Sequence, residues 1–363
     1  MKRFFYLFLI ILSFIQVQAQ VEAPKYSNEF LNIGVGSRAL GMGGTMSATV
    51  NDVTAGYWNP AGLSRMEKKY ELGLMHSEYF AGIAKYDYIG AAYRINNQSA
   101  VALSYIRFGV DNIMNTTELI DAQGNIDYDK ISYFSAVDNA FLLSYAHQIM
   151  GHEEWSLGGT AKIIRRTIGQ FAGSWGFGLD FGVQYSRNGW SAGLVAKDVT
   201  STFNVWRYSL TDEVIRVFEE TQNEIPTNSL ELTLPKLVLG GAKYVEWSKN
   251  WNSTFALDFD FTFDGARNRL VKTSLFSIDP HLGVEVGYRR LAVLRFGVSD
   301  YQQVPDFDDK IRHTIQLNFG LGFGIKDILF VDYAFTDMGN LSIALYSHVF
   351  TVKVALDHFK LKK

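Results

Sequence analysis

Between Trp251 and Phe263 the chain alternates without a break. Odd positions read Trp251, Ser253, Phe255, Leu257, Phe259, Phe261 and Phe263, and even positions read Asn252, Thr254, Ala256, Asp258, Asp260 and Thr262. Successive side chains of a strand point to opposite faces, so this period of two gives one oily face and one polar or acidic face. The pattern returns at Phe177–Tyr185 (Phe177, Leu179, Phe181, Val183, Tyr185), at Leu282–Tyr288 and at Ile315–Phe323. A soluble sandwich would alternate too. Three features point instead to strands that cross a membrane. They are long, about 10 to 14 residues, where soluble strands average about 5 to 6. Their oily faces are aromatic or β-branched throughout. Trp155, Trp175, Trp190, Trp247 and Trp251 fall at their ends, where an interfacial aromatic girdle belongs.

The alternation predicts fourteen strands, over 68–80, 83–96, 99–110, 136–150, 153–167, 175–187, 189–198, 236–247, 251–263, 280–290, 291–299, 311–325, 327–337 and 342–356. Short turns alternate with longer connections at 111–135, 168–174, 199–235, 264–279 and 300–310. That asymmetry is the habit of bacterial outer-membrane barrels. All six prolines fall outside strand interiors on this map, as a hydrogen-bonded ladder demands. The pattern slips at Tyr346-Ser347, as at a bulge. The connection 199–235 carries one helical stretch, with Leu210, Val214, Val217 and Phe218 on a face and Thr211 as cap. It reads as a helix packing over the barrel mouth, with partner docking as the alternative.

The N-terminus fits an exported chain. Lys2 and Arg3 precede an apolar run from Phe4 to Ile15, and Val17-Gln18-Ala19 offers a cleavage site. Residues 1–19 therefore read as a signal peptide, too short to be a membrane helix, with outer-membrane localisation following. Removing Lys2 and Arg3 takes the formal charge from -3 to -5, which argues against a nucleic-acid partner. The chain has no cysteine, so thiol catalysis and thiolate metal sites are excluded.

If residues 67–359 close into an antiparallel transmembrane β-barrel, residues 20–66 have no place in the wall. Their small residues and glycines suit close packing and turns of positive φ, which predicts an N-terminal plug below or inside the barrel. Tyr57, Trp58 and Leu63 would be buried, and Asn59-Pro60 would bend the chain before the first strand. Inward faces then carry both signs of charge: Asp180, Asp258, Asp260, Glu285 and Asp332 against Arg94, Lys162, Arg289, Arg295 and Arg312. Mixed charge in one lumen predicts paired networks rather than a selective ion channel.

The run from Asn32 to Gly44, with Gly34, Gly36, Arg38, Gly41, Gly43 and Gly44, followed by Trp58-Asn59-Pro60-Ala61-Gly62-Leu63, resembles the PorV/PorQ family of Bacteroidetes. Those are outer-membrane proteins of the type IX secretion system, related to the fatty-acid transporter FadL, whose barrel also has fourteen strands and an N-terminal plug. The Asn-Pro-Ala-Gly element is similar to one in both groups. The resemblance implies a non-enzymatic protein that binds secreted cargo through the cargo's C-terminal sorting domain and passes it to other secretion components. Its contact surface would lie within 111–135, 199–235 and 264–279. The tail departs from the usual terminal aromatic, because Phe359 is followed by Lys360-Leu361-Lys362-Lys363. The alternative is a FadL-like transporter of hydrophobic small molecules such as fatty acids or hydrocarbons. That function would need an apolar pocket and a kink or gap in one wall strand; packed charge without such a pocket would favour the secretion role.

Other chemistry is weakly signalled. Gly34-Val35-Gly36-Ser37-Arg38-Ala39 matches a dinucleotide fingerprint, but Gly41, Gly43 and Gly44 break the helix it requires. His147 and His152 flank a predicted turn without metal-ligand spacing. Ser342 to His348 lacks a nucleophile elbow. Asp258 and Asp260 share a strand face, and pairing with the plug is the simpler use for them than acid–base work. No enzyme activity, cofactor or metal is expected; the membrane lipid is a partner by virtue of the fold.

Overall fold

The computed structural model describes residues 27–120, 124–305, 310–336 and 347–357. The expected signal peptide, Ser342, Tyr346 and the Phe359–Lys363 tail lie outside them. The strands are β1 (Tyr70–Tyr79), β2 (Ala84–Arg94), β3 (Ser99–Asn115), β4 (Ser132–Ile149), β5 (His152–Ile168), β6 (Ala172–Arg187), β7 (Trp190–Lys197), β8 (Phe203–Tyr208), β9 (Ser229–Leu232), β10 (Lys236–Glu246), β11 (Trp251–Thr262), β12 (Val271–Lys272), β13 (Ser277–Tyr288), β14 (Ala292–Pro305), β15 (Ile311–Ile325), β16 (Leu329–Thr336) and β17 (Ser347–Ala355). Setting aside β8, β9 and β12, which are short pieces within connections, each strand pairs antiparallel with the next. The pairing of β17 with β1, from Glu71↔Ala355 to Glu78↔His348, closes the ring. The wall is a closed fourteen-stranded antiparallel barrel, as the alternation predicts. Among the described residues no helix is long and apolar enough to cross a membrane.

The two faces differ as the sequence pattern requires. On β15, Ile315, Leu317, Phe319, Leu321 and Phe323 are exposed on the outside, while Thr314, Asn318 and Gly320 are buried inside. On β11, Phe255, Leu257 and Phe259 point out and Asp258 points in. Outward aromatics also meet across strands, as Tyr105 does with Phe141 and Phe296 with Phe319. The five tryptophans of the expected girdle are all exposed. Lys243 lies over the Trp190 ring at 4.7 Å and Arg165 over Trp175 at 5.2 Å, the arrangement of an aromatic belt with basic neighbours.

Two expectations are corrected here. Pro280 is not at a strand start but four residues into β13. It is tolerated because β14 pairs with β13 only from Leu282, which leaves one edge of Pro280 without a ladder to join. The connection 199–235 is not all loop either. β8 pairs with the first half of β6 (Ala172↔Tyr208 to Phe177↔Phe203), while β7 pairs with its second half (Phe181↔Ala196 to Arg187↔Trp190). In register, β7 and β8 are one wall strand interrupted at 198–202. β9 and β10 are likewise one strand interrupted at 233–235, since β9 pairs with β8 and β10 with β7. Asp198 and Ser201 take positive φ (55° and 53°) at the first interruption, and Pro235 ends the second. The helix in this connection, Asp212–Glu220, is present, and Thr211 Oγ1 accepts from the Val214 N–H at 3.3 Å.

Residues 27–66 pack against the inward faces of the wall. They form a 3-10 turn at Glu29–Asn32, short helices at Ser37–Gly41 and Ala55–Trp58, and a 3-10 helix at Pro60–Arg65. Val35, Met42, Val53, Ala61 and Leu63 are wholly buried. Phe30, Val35 and Tyr57 join Met75, Tyr79, Tyr86, Tyr88 and Ile106 of β1–β3 in one apolar cluster. Charged side chains enter the interior elsewhere, from Lys162 and Asp180 of β5 and β6, from Asp258, Glu285, Arg295 and Asp332 of β11, β13, β14 and β16, and from Lys353 of β17.

Candidate functional site

The segment is seated by its odd chemistry rather than by regular structure. Asn59 is fully buried and ties three parts together. Its Oδ1 accepts from the Ala61 N–H at 3.1 Å, and its Nδ2 donates to the carbonyls of Ser47 (2.6 Å) and Val183 (3.1 Å). Pro60 follows as the first residue of the 3-10 helix, where its missing N–H costs nothing. Pro60 and Ala61 press against Gly158 of β5 so closely that any Cβ there would collide with their backbone. Gly43 takes φ +64°, and a Cβ placed there would lie 3.1 Å from the Val298 backbone, a double reason for glycine. Gly41, Gly62, Gly34, Gly36 and Gly44 lie in the same packed segment. Trp58 Nε1 donates to the Val35 carbonyl at 2.8 Å, and Ser37 N–H and Oγ meet Thr351 Oγ1, both at 2.8 Å.

A buried ion network links this segment to the wall. Arg38 forks onto Glu285 (Nε–Oε2 3.0 Å, Nη2–Oε1 3.2 Å). Arg295 bridges Glu285 (2.7 Å) and Asp332 (2.6 Å), and Lys353 holds Asp52 at 2.6 Å. Burial disfavours the Arg38 charge, but the carboxylates of Glu285 and Asp52 outweigh it and keep the guanidinium protonated beyond its ordinary range. Burial alone would raise the Asp52 carboxyl; Lys353 and Arg38 hold it well below the usual carboxylate range instead. Val53 N–H donates to Glu71 of β1 at 2.8 Å. At the chain's return, the Lys69 and Tyr70 N–H groups donate to Asp357, whose carboxyl stays below its ordinary value although its burial acts the other way.

The remaining expected charges fall as follows. Lys162 is buried between Asp180 (2.7 Å) and Asp198 (2.5 Å). Asp258 accepts the Ser47 N–H at 2.9 Å, and Asp260 pairs with Lys236. Arg94 donates to the Met66 carbonyl at 3.1 Å near the short-turn end. Arg289 and Arg312 are corrections. Arg289 lies in the turn after β13 with φ 51°, exposed, and donates to Asn250 Oδ1; the alternation ends at Tyr288 and no longer fixes its side. Arg312 is exposed near the start of β15, above the packed interior. Sequence reasoning did not single out Asp52, Lys353, Asp198, Lys197, Lys236, Asp279 or His281. Lys353 and Asp198 sit near strand ends where the alternation is weakest.

Between the segment and the long-loop end lies a cavity of about 340 Å³. Ile33, Leu40, Tyr57 and Trp58 of the segment form part of its lining, and Asp258, Asp260, Asp279 and His281 part of its wall. Lys197, Asp198, Thr233, Leu234, Pro235 and Lys236, on either side of the two strand interruptions, also line it. Thr233 N–H donates to the Thr202 carbonyl across the interruption at 2.8 Å, and Asn28 Nδ2 donates to Thr233 Oγ1 at 2.8 Å. The start of the segment is thus tied to the interrupted wall. Among the described residues no group of three or more His, Asp or Glu is placed to hold a metal ion.

No protein-family model matches the chain, and no curated protein matches it in sequence. Solved structures do. The CymD monoaromatic hydrocarbon channel aligns over 90% of this chain and 98% of its own, at TM-score 0.57 and 15% identity. The toluene transporter TodX of P. putida aligns over 90% and 99%, at TM-score 0.55 and 11% identity. A Pseudomonas aeruginosa FadL homologue aligns over 88% and 97%, at TM-score 0.50 and 12% identity. The fold is the FadL-like barrel. At these identities the likeness is one of architecture, and the PorV/PorQ side of the resemblance has no counterpart among these structures.

Proposed function

We propose that this chain is an outer-membrane channel for small molecules, with residues 27–66 as its plug and the paired interruptions at 198–202 and 233–235 as a lateral exit. One observation carries the reading: the ligand-sized chamber and the two interruptions share their lining residues. Two neighbouring wall strands are both broken beside the cavity, and a molecule can leave the lumen sideways at such a paired break. The volume falls within the usual ligand range of about 300–1,000 Å³. The similar structures named as hydrocarbon channels support this reading, which makes the chain a non-enzymatic transporter. The test is uptake of labelled toluene by host cells lacking their own hydrocarbon channel. Uptake that rises with expression of the chain supports the proposal; uptake equal to that of empty cells ends it.

A second reading has its own support. The buried pairs Arg38–Glu285, Arg295–Asp332 and Lys353–Asp52 fill the lower lumen with charge, which suits a barrel that docks a partner rather than one that conducts. The partners would then be secreted proteins with a C-terminal sorting domain and other type IX secretion components. Affinity purification after mild cross-linking separates the two: recovery of such proteins favours docking, and the barrel alone favours transport.

A further inference from the structure

We propose that the chamber binds an amphipathic organic cation, an ammonium or guanidinium group carried on an apolar or aromatic body. This rests on the transport reading and names its substrate class.

The first argument is charge. Seven carboxylates and four lysine or arginine side chains line the chamber. Asp198 is matched from below by Lys162, which leaves six carboxylates against four cations. Arg269 is already engaged with Asp279 (3.1 Å) and Asp300, Lys236 with Asp260, and Arg267 with Asp264. Asp258 is 2% exposed and has no ion-pair partner among the described residues. Asp258 and Asp279 are withdrawn from water in a chamber where carboxylates outnumber cations, and a bound cation would offset that excess.

The second argument is hydrogen bonding. His281 Nδ1 lies 2.8 Å from the Gly43 carbonyl, which can only accept, so Nδ1 carries the proton. Nε2 is then left facing Asp260 Oδ2 and Asp279 Oδ2, each at 3.7 Å. His281 Nε2 is thus an acceptor set between two carboxylates whose facing oxygens already serve Lys236 and Arg269. His281 Nε2 and Asp279 Oδ1 are both buried without a hydrogen-bond partner among the described residues, and Asp279 is 8% exposed. Protonating His281 would supply one donor and leave Asp279 Oδ1 unmet. An ammonium or guanidinium supplies several donors at once, and a bare metal ion lacks the converging ligand set.

The third argument is the floor. Gly44 brings Trp58 beside His281: a Cβ placed there would lie 3.6 Å from the Trp58 ring and 3.8 Å from His281 Nδ1. The floor also seats an ammonium of the protein's own. Lys197 Nζ stands 4.4 Å from the Tyr57 ring centroid and 5.4 Å from that of Trp58. Aromatic faces attract such groups, and Leu40 and Ile33 extend the apolar surface for the ligand's body.

The experiment is calorimetric titration of the purified full chain in detergent with benzylammonium, benzoate and toluene, beside the uptake assay above. Benzylammonium should bind more tightly than either of the others, and Asp279→Asn should weaken it at least about tenfold. Asp260→Asn serves if Asp279→Asn loses its heat-modifiable folded band. Toluene binding as tightly as benzylammonium, or an unchanged affinity in both variants, overturns the inference while leaving the transport reading standing. Displacement of benzylammonium by equal concentrations of sodium also overturns it, as diffuse screening. Failure of all three probes together with failed uptake overturns both.

Discussion

Glu285→Ala is the sharpest perturbation of how residues 27–66 are seated. Among the described residues, Glu285 is the one carboxylate that forms an ion pair with both Arg38 of the segment (3.0 Å) and Arg295 of the wall (2.7 Å). The three side chains are 18%, 14% and 5% exposed, so water does little to screen them. Removing the carboxylate leaves two guanidiniums facing one another, with Arg295 retaining Asp332, and Arg38 retaining a hydrogen bond to Asn51 at 3.4 Å and the nearby charge of Asp52. Breaking a buried pair in this way costs about 3–5 kcal/mol. The cost falls on the docking of the segment, because the wall ladders on either side of Glu285 are backbone bonds that the substitution leaves alone. At about 1.4 kcal/mol per decade, the equilibrium between seated and released segment moves by two to three orders of magnitude. Limited proteolysis in detergent reads this directly, by cleavage within 27–66, while heat-modifiable gel mobility reports the barrel. The expected result is rapid loss of the segment with the folded barrel band retained. Arg38→Met should be milder, since Glu285 keeps Arg295. Equal protection of the segment in wild type and Glu285→Ala would refute the reasoning.

Trp58→Ala and Gly43→Val should each loosen the segment more than the barrel, seen as faster proteolysis within 27–66 with an unchanged folded band. Asn59→Ala removes a cap and the buried bonds to the Val183 carbonyl and to the Ser47 carbonyl, which keeps Gln184, so a loss of about 2 kcal/mol in segment docking is expected from the same assay. Acid should release the segment only late. Asp52 has its carboxyl depressed on docking, so its contribution is complete above the undocked value of about 3.9 and fades only as pH falls through the lower docked value; release near pH 5 would contradict this. With no native cysteine, Thr202→Cys/Thr233→Cys can be oxidised cleanly across the interruption. If ligand leaves there, the disulfide should slow uptake about tenfold or more and reductant should restore it.

The fourteen strands were legible because lipid on one side and a packed lumen on the other enforce alternation over every residue between. Trp251–Thr262 could be read almost to the residue for that reason. Legibility failed where that two-sided constraint lapses. Arg289 sits one residue past β13, and Arg312 one residue into β15, so parity says nothing of their surroundings. The pieces β8 and β9 were hidden because Asp198–Thr202 inserts residues that shift the register of the alternation. The segment's glycines announced close packing, but not its partners: Arg38 finds Glu285 across 247 positions of sequence, and no local signal encodes that.

The energetics of the interior bear on the route a ligand can take. A straight path through the barrel must lift the segment, and the segment is held by Arg38–Glu285, Lys353–Asp52, the Ser47 N–H on Asp258, and the Gln184 side chain on the Ser47 and Val50 carbonyls. Two buried ion pairs alone stand for several kcal/mol each. A sideways path from the chamber meets less. There the ladder is already interrupted in two neighbouring strands; Asp198 at the first interruption is held by the buried Lys162, while the bonds from Thr233 N–H to Thr202 and from Asn28 to Thr233 are neutral ones. Such bonds contribute about 1 kcal/mol apiece. On the transport reading, a molecule in the chamber would leave between the interrupted strands rather than toward the short-turn end, and Ser27 and Asn28, which also reach Asn204 of β8, would be the part of the segment that moves. Substituting Asn28 should then change exit rates without releasing the rest of the segment, because the buried ion pairs Arg38–Glu285 and Lys353–Asp52 lie ten residues and more further along the chain.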